Sequence, residues 1–401
     1  MQPRNSSPRS GPARWSLGED GSVILLVLMT LLLTAFALTK YLEKTAVDLL
    51  ADAREARAGR LRVQAYSALE TTLGVLQEFL TVDGGLHSSA EGWGQPLEFA
   101  GYAPPEGLKV EATLEDESGK ISLRHADYQT LRDLFILLGQ KQSDAERLAD
   151  ALLVWMQQGY EPVNSFNARA ADYERAAVAH DPPGRSLHSF SELASIQYVR
   201  DVLFDANGQP NGLWRSFVDS VSLFDFSQPN VNNGRETTLA AVGSYDAASV
   251  KMVGDFLGGL GSYSRQGPGF FHNAQEVAGL VGQGTAGSKL GTEVRCLRVT
   301  ITVREGQASY RLSAVIAPPG GAALPPANPP AANSTSAADS SSTQDNAAAT
   351  AGSAAAPAAT TQPAASGSQT QPTLNYPFTL LEIQENDEIV DTSPPSQPAA
   401  Q

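Results

Sequence analysis

The sequence predicts an α+β chain in three parts: a long N-terminal helix that starts as a transmembrane segment, an antiparallel sheet, and a large all-helical insertion between strands. Three observations predict it. An uncharged run, Ser22 to Thr39, continues without proline into apolar residues spaced by three and four, with one eight-residue gap over Arg54, as far as Leu80. Two later segments alternate β-branched and polar residues around Glu305 and Gly306. Between the long helix and these strands, about residues 123–284 read as short helices joined by turns.

The eighteen residues of the apolar run span about 27 Å as a helix, enough to cross a bilayer. A secretory signal would end in a small-residue cleavage site, whereas this run ends FALTKYLEK. Arg4, Arg9 and Arg14 precede the run, and no Lys or Arg lies between Ser16 and Thr39. That asymmetry places the N-terminus in the cytoplasm and the bulk of the chain across the membrane. Beyond it, Val47, Leu50, Ala58, Leu61, Ala65, Leu69, Leu73, Leu76 and Leu80 mark one amphipathic helix continuous with the span.

The 401 residues, 42% hydrophobic, suffice for two or three domains with a real core. A formal net charge of −15 excludes nucleic acid as a main partner, because a surface so acidic repels phosphate. The single cysteine, Cys296, allows no intramolecular disulfide and no cysteine-based zinc site.

Along the chain, KVEATLEDESGKISL (Lys109 to Leu123) carries clustered carboxylates, Glu115 to Glu117, on a strand turn that reads as a solvated face. Trp155, at helical spacing from Leu148, Ala151 and Leu152, is a core residue. In SFSELASI, Ser189 and Glu192 form a capping box. In PNVNNGRETTLAAVG, Asn232 or Asn233 folds back on the local backbone and caps the helix carrying Leu239 and Val242. Leu239 to Gly259 is a helix, turn and helix with Lys251 as its one basic residue, hence a packing module and not a DNA reader. Asn273 to Gly282 adds one more helix. Arg295 to Glu305 and Gln307 to Ala317 form a hairpin, and Tyr376 to Glu385 a last strand. Pro318 to Pro372 is Ala, Pro, Ser, Thr, Gln and Asn with little to bury, so disorder is expected there.

Taken in order, these stretches resemble the K-type minor pseudopilins of type II secretion. The long helix behind a polar leader resembles pilins and pseudopilins in general. GWGQPLEF (Gly92 to Phe99), the Lys109 to Leu123 strands, RLADALLVWMQQ (Arg147 to Gln158), ADYERA (Ala171 to Ala176), PPGRSLHSFSELASI (Pro182 to Ile196) and QPNVNNGRETTLAAVG (Gln228 to Gly243) are similar to that branch's motifs in its order.

The resemblance implies a pilin-like α/β domain with an inserted all-α domain. It divides the chain into a leader (1–21), a transmembrane and spine helix (22–86), a first part of the pilin-like domain (87–122), the helical insertion (123–284), further strands (285–317), a disordered insertion (318–372), and a last strand with tail (373–401). It also implies processing by a prepilin peptidase between Gly21 and Ser22, although Glu19 and Asp20 stand where such leaders usually carry basic residues. Counted from Ser22, the fifth residue is Leu26, where most of these proteins carry glutamate. An apolar residue there, and a bulky insertion, fit a subunit that caps a filament. The implied partners are I-type and J-type minor pseudopilins, other pseudopilus subunits, the peptidase and the inner membrane, with no nucleic acid.

No enzymatic motif is present: GxSxG, HExxH, P-loop and Rossmann glycine runs are lacking, and the five histidines show no ligand spacing. An enzyme is therefore not expected. No cofactor is required either; calcium is the one left open by the resemblance, with Asp172 and Glu174 as candidate ligands and Gln157 where the family commonly has Asp. Two other classes share the anchored architecture. One is a type IV pilus tip pilin or adhesin, the other a plain membrane-anchored periplasmic binding protein.

Overall fold

The computed structural model describes residues 20–163, 173, 181–282, 289–326, 375–376 and 378–386. Two compact units, Met1–Val63 and Gln64–Gln401, divide it. Helix α1, Asp20–Asp83, is 64 residues long and belongs to both.

In the first unit, the apolar start of α1 is uncovered. Val23, Leu26, Leu33 and Leu38 are each at least 60% exposed, as befits a surface made for hydrocarbon. It is long and apolar enough to cross a membrane once. Val47 and Leu50, read from spacing as part of a packing face, are exposed as well.

In the second unit, α1 buries Ala65, Ala68, Leu69, Thr72, Val75 and Leu76, a stripe at steps of three and four. Tyr66 Oη donates to Glu385 at 2.6 Å and Tyr102 Oη donates to Gln64 at 3.1 Å, fixing the helix to distant segments. Trp93 is buried with its indole N–H donating to Glu91, and Pro96 opens the short helix α2, Pro96–Phe99.

A five-stranded sheet follows the order β1 (Lys109–Asp116), β4 (Leu297–Glu305), β5 (Ala308–Ala317), β7 (Phe378–Glu385) and β6 (Asn375–Tyr376). Its pairs are antiparallel. The β4–β5 turn places Gly306 at φ 59°, a conformation side chains with a Cβ rarely take. Period-two alternation buries Leu297, Val299, Ile301 and Val303 on one face and turns Arg298, Thr300, Thr302 and Arg304 to the other. On that second face Phe224, Phe226, Cys296, Val315, Ala317 and Ala322 form a small satellite core. Burial pushes the Cys296 thiol well above its usual range, which makes it inert.

The Lys109 to Leu123 segment forms two strands around its acidic-Gly turn, but they join different sheets: β2 (Ile121–Ser122) pairs in parallel with β3 (Val221–Ser222), forming a separate two-stranded sheet. A short 3-10 turn, Glu117–Gly119, carries the chain from one sheet to the other.

Between β2 and β4 lie the helices α3 (Tyr128–Leu137), α4 (Gln142–Met156), α5 (Gln197–Leu203), α6 (Gly212–Ser220), α7 (Glu236–Ala241), α8 (Ala247–Leu257) and α9 (Ala274–Val281). Their core centres on Leu131, Phe135, Leu148, Leu152, Phe217 and Val253, with the rings of Phe135 and Phe217 stacked at 5.1 Å. Trp155 belongs to this core and packs on Tyr173 at 5.7 Å. Lys251, on α8, pairs with Asp255 at 2.7 Å.

Gly119 sits where α-carbon bulk is forbidden. A Cβ there would lie 2.2 Å from the carbonyl oxygen of Asn233. Gly119→Ala should therefore lower unfolding free energy by about 1–3 kcal/mol, read by chemical denaturation in detergent micelles, and a neutral result would mean the two loops are not in contact.

Candidate functional site: the apolar helix and a buried polar junction

Gly21 and Ser22 lie in the first turn of α1, and Leu26 follows one turn later as one of a run of exposed apolar side chains. Asp172 and Glu174 lie outside the described residues. Among the described residues no group of three or more His, Cys, Asp or Glu is placed to hold a metal ion. Upstream of them, Asp150 is buried on α4 and accepts hydrogen bonds from Tyr160 Oη at 2.9 Å and the Val163 N–H at 3.0 Å.

The most organised polar group in the molecule lies elsewhere. It joins the end of β1, the loop after α1 and the segment before α7. Asp116 Oδ1 accepts from the backbone N–H and the hydroxyl of Ser118, while Oδ2 accepts from Asn230 Nδ2 at 2.8 Å and Asn233 Nδ2 at 2.9 Å. Both amides also donate to the carbonyl of buried His87, at 2.9 and 3.3 Å. Two side chains thus tie the same two remote acceptors together. Backbone bonds complete the joint: Asn230 N–H to Ser118 O at 2.7 Å, and Arg295 N–H to Ser118 Oγ at 2.9 Å.

Asn232 does a parallel job toward the other side. Its Oδ1 accepts from the Phe271 N–H at 2.7 Å and its Nδ2 donates to the Phe271 and Thr292 carbonyls, both at 2.8 Å. These satisfied amides correct the expectation of local capping. The residue preceding α7 is Arg235, which makes no side-chain cap, and only Asn230 caps locally, accepting from the Asn232 N–H across a 3-10 turn.

The acidic stretch is corrected likewise. Glu117 is buried, not solvated; its carboxylate takes Arg298 Nε at 2.7 Å and Lys120 Nζ at 3.1 Å. Glu115 meets Lys120 at 3.0 Å and Arg235 at 3.3 Å. Burial pushes the Glu115 carboxyl up, but these cations outweigh it and hold it below the usual range. Arg235 also pairs with Asp219. A carboxylate cluster stays inside only when cations and amides surround it.

A capping pattern recurs three times among the described residues, and the ordinary capping-box spacing marks only one of them. His87-Ser-Ser-Ala-Glu91, His188-Ser-Phe-Ser-Glu192 and His272-Asn-Ala-Gln-Glu276 share one geometry: the Glu carboxylate accepts the His N–H, at 3.1, 2.9 and 2.9 Å. The Ser or Asn accepts from a backbone N–H two or three residues on. At Ser189 this differs from the expected box, because Glu192 reaches the N–H before the cap, and the chain continues as a 3-10 helix. The signal that could have found all three is the spacing His-(Ser/Asn)-x-x-Glu.

Residues 112–206 match the family model described as "Type II secretion system (T2SS), protein K". Over these residues the chain is similar to the protein K family of type II secretion. The match takes in the acidic turn, the Trp155 helix and the Ser189 segment. It ends before the Asn-Val-Asn stretch, which was also assigned to that family from its residues. Among solved structures, a chain of "The Crystal Structure of the GspK-GspI-GspJ complex from enterotoxigenic Escherichia coli Type 2 Secretion System" aligns with TM-score 0.47 and 15% identity, over 66% of this chain and 94% of that one. No match is found among curated protein sequences.

The joint makes a pH prediction. Burial pushes the Asp116 carboxyl up to about 6, against the downward pull of Ser118, Asn233 and Asn230. A raised folded-state value means that the protonated form is the one the fold favours. The stability Asp116 contributes is then full below its ordinary value near 3.8 and is lost as pH rises through about 6. The stability gap between wild type and Asp116→Asn should therefore narrow from pH 4 to pH 7 in denaturation curves. A gap that widens over that range would show that the junction prefers the carboxylate.

Proposed function

We propose that this chain caps the tip of a type II secretion pseudopilus and initiates its assembly with I-type and J-type minor pseudopilins, in support of protein export across the outer membrane. Its inner-membrane helix would enter with the N-terminus in the cytoplasm, leaving the bulk of the chain periplasmic. A prepilin peptidase would cut between Gly21 and Ser22, and the new terminus would be methylated. The role is structural and not enzymatic.

The observation that carries the tip assignment is the helix itself. No acidic residue lies between Ser22 and Thr39, and Leu26 occupies the fifth position of the processed chain. In the common pseudopilin arrangement a glutamate there neutralises a neighbour's terminal ammonium, an exchange that suits a continuing filament because an unpaired charge in hydrocarbon is costly. Leucine at that position removes the pairing, so a subunit packs below but offers nothing to a subunit above. The protein K match over residues 112–206 and the helices inserted between β2 and β4 agree with that place in an assembly.

N-terminal mass spectrometry of the chain expressed with and without a prepilin peptidase tests the reading. A terminus at Ser22 only with the peptidase is expected. An intact leader in both cells would mean that Glu19 and Asp20 block processing, and the chain would be a plain anchored protein.

A further inference from the structure

Two of the three histidines in the recurring cap stand side by side. The ring centres of His87 and His272 lie 5.7 Å apart, although the two residues are remote in sequence. One short turn brings them together. Asn230 donates to the His87 carbonyl, and Asn232 grips the N–H and the carbonyl of Phe271, the residue next to His272. Phe270 packs against both rings, with centres at 6.0 and 4.6 Å.

Each of these rings is held by an acid. His87 Nδ1 meets Glu91 Oε1 at 2.7 Å, and His272 Nδ1 meets Glu276 Oε2 at 3.4 Å. A carboxylate only accepts, so in the neutral ring the proton sits on Nδ1 and the lone pair on Nε2. A carboxylate behind a histidine in this way orients the ring and strengthens it as a metal ligand. The spacing fits one shared ion, because metal–nitrogen bonds of about 2.1 Å at roughly tetrahedral angles put two ring centres about 5 to 6 Å apart. The third cap is built differently. His188 has its Nε2 beside the carbonyl of Pro326, at 3.3 Å, a contact that calls for the proton on that nitrogen.

We propose that His87 and His272 bind one divalent transition metal ion of the kind that prefers imidazole, through Nε2 of each ring, with Glu91 and Glu276 as the carboxylates behind them. Water completes the coordination, so the affinity falls below that of a zinc site with three or four protein ligands. Zinc, nickel and copper suit two imidazoles, whereas calcium takes oxygen and does not. An ion there ties the loop after α1 to the start of α9, next to the joint at the His87 carbonyl. This goes beyond the tip assignment and does not depend on it.

The test uses the full chain without an affinity tag in neutral detergent micelles, stripped of metal by a chelator, with zinc chloride titrated in a calorimeter. Saturable binding of one ion per chain is expected. The His272 side chain is 61% exposed, so His272→Ala should keep the circular dichroism of wild type while weakening zinc binding at least about tenfold. His188→Ala should leave binding unchanged. Zinc should raise the thermal midpoint of wild type and not that of His272→Ala. In a chain isotope-labelled at its histidine rings, zinc should shift the NMR signals of His87 and His272 and leave the other three in place, which identifies both donors with His87 intact. Absence of saturable binding, undiminished binding by His272→Ala, an equal loss in His188→Ala, or shifts at other histidines in place of these two would overturn the proposal. So would displacement of zinc by millimolar calcium, because the ligands would then be oxygens.

Discussion

The loop after the spine helix, the end of β1 and the segment before α7 meet around one enclosed carboxyl group. Asp116 ends β1, and through Asn230 and Asn233 it is tied to the segment that leads into α7 and to the carbonyl of His87 in the loop after α1. Three stretches, at His87, Asp116 and Asn230 to Asn233, therefore share one set of hydrogen bonds. Such a set is stabilising only when complete, because each partner removed leaves a polar group without water. Gly119, pressed against Asn233, shows how closely the two loops approach.

The arrangement suits a sheet whose chain is interrupted between its first and second neighbours. β1 and β4 pair along eight residues, yet some 180 residues, with seven described helices among them, intervene. A long insertion adds little closure entropy, but its two ends must still leave and return at fixed places. Ser118 meets the returning chain at Cys296 and Arg295, and Glu117 meets Arg298. Polar and ionic contacts serve here because directional bonds fix a register that a greasy contact would leave loose.

Much of this was readable from residue order, for reasons that differ by element. The apolar run, the alternating hairpin at Leu297–Ala317 and the Trp155 helix each follow from local periodicity, and they stand in the structure. The stretches at Glu115–Glu117 and Asn230–Asn233 misled for one shared reason. An Asp or Asn is equally able to serve its own backbone or a remote partner, and only the fold decides which is near. Asn232 reaches Phe271 and Thr292, 39 and 60 residues away, a separation no local window contains. The His-x-x-x-Glu caps were local and could have been found; their histidine lies one residue ahead of the usual box.

A double-mutant cycle between Asp116 and Asn230, each replaced by alanine and measured by equilibrium denaturation, tests the organising role of the junction most directly. The account predicts a coupling of at least about 1 kcal/mol, because the two residues share one network and either substitution strands the other's partner. Additive effects within about 0.3 kcal/mol would contradict it, and the junction would then be a set of independent local contacts.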